Sequence, residues 1–197
     1  MGRSLSMIIF GFILAMVPVS HAGLLIEPYL NYELIGQVAN VNASGDVSAK
    51  TSGLGMGGRI GYSLPILFWA ALDYSMLPTG TAKPDVIGSS YSTSRSDLYL
   101  TAGIDLPILL RVWLGYGLMN SLTLKKPGGD ETYSGGTNFK IGVGFKLIPL
   151  VTLFAEAYTH KSSKVNVGGN TVDVSSYVVG NYVDAGGVVG VSVPFDL

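Results

Sequence analysis

The sequence predicts an all-β chain that closes into an eight-stranded antiparallel up-and-down transmembrane β-barrel. Three observations predict it. Eight short segments alternate with a period of two and keep their charges on one face. The connections between them are alternately short and long. A leader of the export type precedes them all. Period two is the signature of a strand with unlike faces. In Leu98–Leu106, the residues Leu98, Leu100, Ala102, Ile104 and Leu106 alternate with Tyr99, Thr101, Gly103 and Asp105. In Phe139–Leu147, Lys140, Gly142, Gly144 and Lys146 alternate with Phe139, Ile141, Val143, Phe145 and Leu147. Such faces fit lipid on one side and a narrow polar lumen on the other.

The leader comes first. Arg3 supplies a short basic region, Met7–Val19 is almost wholly apolar, and Ser20-His21-Ala22 has the small-x-Ala form of a cleavage site. Its 13 apolar residues fall short of the roughly 20 that a membrane-crossing helix needs. Residues 1–22 are therefore expected to be a signal peptide and residues 23–197 the barrel, leaving 175 residues (197 − 22), one domain's worth. The chain has no cysteine, which excludes a disulfide framework, a thiolate metal site and a lipid-modified N-terminal cysteine. A net charge of −1 offers no basic surface for nucleic acid. The 27 glycines and 13% charged residues suit a tightly curved barrel better than a solvated globule.

The strands follow in order, each about 10 to 13 residues, enough for a tilted strand to cross a bilayer. Leu24–Leu34 puts Ile26, Leu30 and Tyr32 outward and Glu27 and Glu33 inward. Gly53–Leu64 puts Leu54, Met56, Ile60 and Tyr62 outward, with Arg59 among glycines inward. Ile66–Met76 opposes Phe68, Leu72 and Tyr74 to Trp69 and Asp73. Ser96–Leu106 opposes Leu98, Leu100 and Ile104 to Asp97 and Asp105. Leu109–Met119 sends Val112, Leu114 and Tyr116 outward and Arg111 and Trp113 inward. Thr137–Leu147 carries Lys140 and Lys146 inward. Val151–His160 has Leu153 and Ala155 outward and Phe154, Glu156 and Tyr158 inward. Val183–Phe195 closes the set with Val189, Val191, Val193 and Phe195 outward.

Three tight turns hold Pro65, Pro107 and Pro149, 42 residues apart, in the related runs Leu64-Pro65-Ile66-Leu67, Leu106-Pro107-Ile108-Leu109 and Ile148-Pro149-Leu150. Long connections rich in Gly, Ser, Thr and Asn lie around Asn40–Ser52, Pro78–Arg95, Ser121–Gly136 and Lys161–Asn181. A period of this length marks a hairpin repeat; a propeller blade of similar length would need four strands where only two fit. The outward aromatics form two girdles: Tyr32, Tyr74, Tyr116 and Phe139 toward the loops, and Tyr62, Phe68, Phe145 and Phe195 toward the turns. A soluble barrel with this face turned inward would have to pack that bulky aromatic set into a lumen with room for little.

The inward charges fall into near-registered pairs. Folding the hairpins brings Arg59 to Asp73, Asp105 to Arg111 and Lys140 to Glu156, and the first long connection brings Glu27 to Arg59. Buried charges need partners. An interior ladder of ion pairs plugging the lumen is the expected arrangement, with Trp69, Trp113, Tyr29, Phe154 and Tyr158 filling the rest.

Leader, eight amphipathic strands, short turns, polar loops and a terminal strand ending Val193-Pro194-Phe195-Asp196-Leu197 together resemble the small outer-membrane barrels of the OmpA membrane-domain and OmpX kind. The resemblance covers residues 23–197 and rests on architecture. It implies an outer-membrane location with both termini in the periplasm, surroundings of outer-membrane lipid and lipopolysaccharide, insertion by the barrel-assembly machinery, and a monomer with no nucleic-acid partner. Two departures stand out: no peptidoglycan-binding domain follows the last strand, and two residues follow the terminal aromatic. His160-Lys161-Ser162, with Glu156 before it and Asp173 after it, also matches the His-x-Ser of lipid A deacylases of the PagL kind, where His acts as base on Ser. The match is three residues long. The expected function is a structural or surface-presenting barrel, with no catalytic residues, no metal and no cofactor. The alternatives are a narrow channel or carrier for small or apolar solutes and a deacylase-like esterase.

Overall fold

The computed structural model describes residues 22–41, 47–65, 67–85, 90–126, 128–148, 150–177 and 181–197. The leader up to His21 and the turn residues Ile66 and Pro149 lie outside the described residues. The strands are β1 (Gly23–Val41), β2 (Val47–Ser63), β3 (Phe68–Pro84), β4 (Tyr91–Asp105), β5 (Leu110–Lys126), β6 (Gly129–Ser134), β7 (Thr137–Ile148), β8 (Val151–Ser162), β9 (Lys164–Val167), β10 (Asn170–Asp173), β11 (Asn181–Ser192) and β12 (Phe195–Asp196), with one helical turn, α1 (Val174–Tyr177). Antiparallel pairing runs β1-β2-β3-β4-β5-β7-β8-β11 and returns to β1, so eight strands close a ring in up-and-down order. The ends of the barrel chain are stitched together: Leu24 and Leu197 exchange two backbone hydrogen bonds of 2.9 Å.

The short turns repeat a backbone device. Leu67 and Leu109 both sit at φ 63°, the left-handed region that costs an L-residue roughly 1–2 kcal/mol. Pro107-Ile108-Leu109 is a three-residue connection of the kind that ends on a left-handed residue. Leu106 N–H closes it on the Leu110 carbonyl, and the reversed Leu109 carbonyl accepts from Lys146 of the neighbouring hairpin. Leu67 does the same for Asp105.

The strands run well past their expected ends. β1 reaches Val41 rather than Leu34, β3 reaches Pro84 rather than Met76, β4 starts at Tyr91, and β5 continues to Lys126. Much of what reads as loop in Asn40–Ser52, Pro78–Arg95, Ser121–Gly136 and Lys161–Asn181 is therefore strand. Bulges explain the difference. Register shifts interrupt β1 at Glu33/Ile35, β3 at Leu77/Gly80 and β5 opposite Leu98/Tyr99. Each one flips the parity of the residues beyond it. Glu33 points in, but so does Val38; Leu77 points in, but so does Ala82; Arg111 and Trp113 point in, but so do Asn120 and Leu122. A strict alternation breaks at those points although the strand does not.

The chemistry of the faces inverts at the same height. Below it, all eight girdle aromatics are exposed: Tyr32, Tyr62, Phe68, Tyr74, Tyr116, Phe139, Phe145 and Phe195. Tyr116 and Phe139 are cross-strand partners whose rings meet edge to face at 5.4 Å. Above Ile35 on β1 and Tyr74 on β3 the outward face turns polar, with Gln37, Lys50, Thr79, Thr81, Lys83, Ser92 and Lys125 exposed. The inward face there turns apolar. Val38, Leu122, Leu124, Tyr133, Val165, Val174 and Tyr182 form one buried cluster, with Tyr133 and Tyr182 stacked at 3.6 Å. Lipid below and water above account for both halves of the inversion. β6 and β9 belong to this upper storey: β6 bends into β7 at Gly135 and Gly136, both at positive φ, and pairs with β9.

Two positions on β3 locate the boundary. Leu72→Arg puts a cation against lipid and is expected to lower stability by about 2–4 kcal/mol. Thr81→Arg, beyond the girdle, should stay within about 0.5 kcal/mol of wild type. Urea unfolding of the refolded protein in lipid vesicles measures both; equal losses would mean that no apolar slab ends between these residues.

Candidate functional site in the barrel lumen

The inward side chains gather into two charged clusters, one above the other. The turn-end cluster centres on Arg59, whose guanidinium meets Asp73 at 2.8 Å, Glu27 at 3.0 Å and Glu156 at 2.7 Å, all buried. Four aromatic rings enclose it, those of Trp113 at 4.6 Å, Tyr29 at 5.1 Å, Phe154 at 5.7 Å and Trp69 at 5.9 Å. Arg111 joins Glu27 at 2.8 Å to Asp105 at 2.9 Å. Lys146 reaches Asp105 at 2.6 Å. Lys140 bonds Asp73 and also lies 3.3 Å from Glu156. Tyr29 and Trp113 donate to Asp73 and Glu156, both at 2.7 Å. Four cations (Arg59, Arg111, Lys140, Lys146) thus face four carboxylates (Glu27, Asp73, Asp105, Glu156).

The position of each charge follows from the pleat. Arg59 is the direct register partner of Glu27 on one side and Asp73 on the other. Asp105 and Arg111 are likewise partners across β4 and β5. Lys140 and Glu156 meet on a diagonal, since Lys140 faces Tyr158 and Glu156 faces Gly142. Missing side chains make room for these large ones. A Cβ at Gly142 would sit 2.2 Å from the Trp113 ring, and one at Gly57 would sit 2.4 Å from Tyr29.

The loop-end cluster was mostly missed by sequence reasoning. Arg95 is its hub. It contacts Glu33 at 2.6 Å, Asp97 at 3.3 Å and Asp184 at 3.2 Å, and stacks on the Tyr158 ring at 4.1 Å. Tyr158 donates to Glu33 at 2.7 Å, and Thr51 donates to the same carboxylate. His160 lies between Tyr99, on Nε2, and Asp184, 3.2 Å from Nδ1. The available signal was parity: Glu33 and Asp97 share the inward face of their strands with Glu27 and Asp105, and Asp184 has the parity of the inward Gly186 and Gly190. Arg95 falls in a stretch that reads as loop.

The His-x-Ser constellation is not assembled. Glu156 is engaged by Arg59, Lys140 and Trp113, and Asp173 is exposed on β10. The carboxylate on His160 is Asp184, its other nitrogen is taken by Tyr99, and the imidazole is buried. A base needs a free nitrogen facing its nucleophile, and His160 offers Ser162 none.

Fold and lumen together define a small membrane-type barrel with its interior occupied by side chains. No family model matches the chain, and neither does any curated protein sequence. Solved structures do match. The Neisserial surface protein A is 18% identical, over 89% of this chain and 99% of its own, with a TM-score of 0.50. Ail, the attachment invasion locus protein of Yersinia pestis, is 13% identical, over 88% of this chain and 99% of its own, with a TM-score of 0.51. The fold is that of the small eight-stranded outer-membrane barrels.

The two ends of the charge lattice differ in burial, and stability should follow. Arg59→Met leaves three buried carboxylates to share Arg111 and Lys140 and is expected to cost about 3–5 kcal/mol. Lys146→Met, at the half-open turn end, should cost under about 1 kcal/mol. Denaturant midpoints in detergent decide between this graded lattice and one in which all pairs count alike.

Proposed function

We propose that this chain is a bacterial outer-membrane barrel with a plugged lumen and a structural, surface-presenting role. The observation that carries this reading is the double filling of the lumen: an ion-pair lattice with Trp69, Trp113, Tyr29 and Phe154 at bilayer height, and an apolar cluster above it. An eight-stranded barrel has room for side chains or one small ligand, and here side chains take it. The polar upper wall stands clear of the girdle as the surface to be presented, so the loop end faces outward and the stitched termini face the periplasm. Lipid and lipopolysaccharide surround a monomer inserted by the barrel-assembly machinery. The buried, doubly bonded His160 weighs against the esterase reading.

Planar-bilayer recording of refolded protein tests the plug: conductance should stay near the bare-membrane baseline. Steady, well-resolved channel currents would replace the plugged reading by the channel alternative. N-terminal sequencing of protein from outer-membrane fractions tests export; it should begin at Gly23, and a retained Met1 would overturn the leader.

A further inference from the structure

The turn end of the barrel is too apolar for chain that stands in water. The runs Leu64-Pro65-Ile66-Leu67, Leu106-Pro107-Ile108-Leu109 and Ile148-Pro149-Leu150 hold no polar side chain. Short connections in water draw Gly, Asn, Asp and Ser instead. The protein does not cover them: Leu64, Ile108, Leu109, Ile148 and Leu150 are 47% to 61% exposed. Leu109 holds its side chain there at φ 63°, a conformation that Gly or Asn adopts with less strain. An apolar side chain kept in a strained turn and left half exposed points to a solvent other than water.

The height of the wall points the same way. On β7 the outward aromatics Phe139 and Phe145 are six residues apart, as are Phe68 and Tyr74 on β3. At ~3.3 Å per residue and a tilt of about 40°, six residues span roughly 15 Å of membrane, against an apolar band of about 25 Å. The missing height cannot come from the loop side of β7, where Thr137 and its partner Lys161 are already exposed above Phe139. Running on to Ile148, nine residues past Phe139 (148 − 139), brings the span to about 23 Å. The turn-side aromatics do not mark a water boundary either. Three of the four are Phe68, Phe145 and Phe195, which lack the polar tip that Tyr and Trp present at such a boundary.

We infer that the turn end is immersed: its three apolar turns lie in the leaflet they face, at the boundary of acyl chains and headgroups. The occupant of this surface is lipid. The turns continue the lipid-facing wall without a break through exposed Phe68, Phe145 and Leu147. They join β2 to β3, β4 to β5 and β7 to β8, three corners of the ring of eight, so the apolar surface is a rim and not a face. The mouth inside that rim is polar, with Lys146 on Asp105 and Ser63 donating to Asp196. A protein docked over the rim would bury those groups as well, at a desolvation cost. A leaflet takes the rim and leaves the mouth to headgroups and water. This goes beyond the plugged reading and holds whether or not the lumen conducts.

The chain has no cysteine, so single thiols can be labelled cleanly. Ile108→Cys and Leu150→Cys, two turns that report independently, carry a bimane label, with Thr81→Cys as the control in water. The refolded protein sits in nanodiscs of dioleoyl phosphatidylcholine, whose two faces are both open to solution. Iodide quenches a label in water, and phosphatidylcholine with a nitroxide high on its acyl chain quenches one in the leaflet. The turn labels should be quenched by the nitroxide lipid and be several-fold less sensitive to iodide than the Thr81 label. In thinner dilauroyl phosphatidylcholine discs they should emerge and gain iodide sensitivity. Iodide quenching in the thicker discs equal to that at Thr81 overturns the inference, because the turns then stand in water. Shielding from both quenchers overturns it too, since the cover is then protein, a second copy of this chain. So does iodide protection that is unchanged in the thinner discs, which would assign the shielding to the barrel itself.

Discussion

Much in this barrel depends on neutralising charge among side chains that are buried in the lumen. Arg59 is where that constraint is tightest. Its guanidinium offers five donors in a fixed fork, and β1, β3 and β8 each supply one carboxylate to it. A slip of one residue in any of those strands would carry its acid to the lipid face. The ion pairs therefore add more specificity than net stability, because two buried partners repay little beyond their own desolvation. They fix which residue stands opposite which, and the aromatic rings around Arg59 fill the remaining space.

The second constraint is the change of solvent along each strand. Between the girdles the wall meets hydrocarbon, so the outward residues are Leu, Ile, Val, Phe and Tyr and the polar groups turn inward. Past Ile35 and Tyr74 the wall meets water, and the preference reverses. A strand cannot rotate gradually to follow that reversal, since its side chains alternate rigidly. Three of the strands insert one residue, while β2, β4, β8 and β11 keep their parity and change residue type. The bulges in β1, β3 and β5 sit at this height. They let the same strand present Leu30 to lipid and Val38 to the interior. The upper storey is in effect the wall of a small soluble barrel carried on a membrane one, with Tyr133 and Tyr182 stacked at its centre.

The loop-end charge cluster lies at the junction of the two storeys. It has the polar lumen below it and the apolar cluster above. Arg95, Tyr158 and His160 tie β1, β4, β8 and β11 together there. Asp184 faces His160 because β8 and β11 pair in direct register. Both nitrogens of His160 are engaged there, by Tyr99 and by Asp184.

The sequence by itself determined the fold class, the ring of eight strands, the face of every residue between the girdles and the partners of Arg59 on its two neighbouring strands. These follow from local periodicity and from hairpins folded about Pro65 and Pro107, where a residue's neighbour is found by counting. It could not determine the strand ends, because a bulge looks like the end of a pattern and a polar outward face looks like a loop. Nor could it assemble Arg95 with Glu33, Asp97 and Asp184. Counting across a turn finds partners on adjacent strands, whereas Arg95 and Asp184 meet across the lumen, 89 residues apart in sequence. That distance is closed only by the curvature of the whole barrel, and curvature is a property of the closed ring that no single hairpin carries.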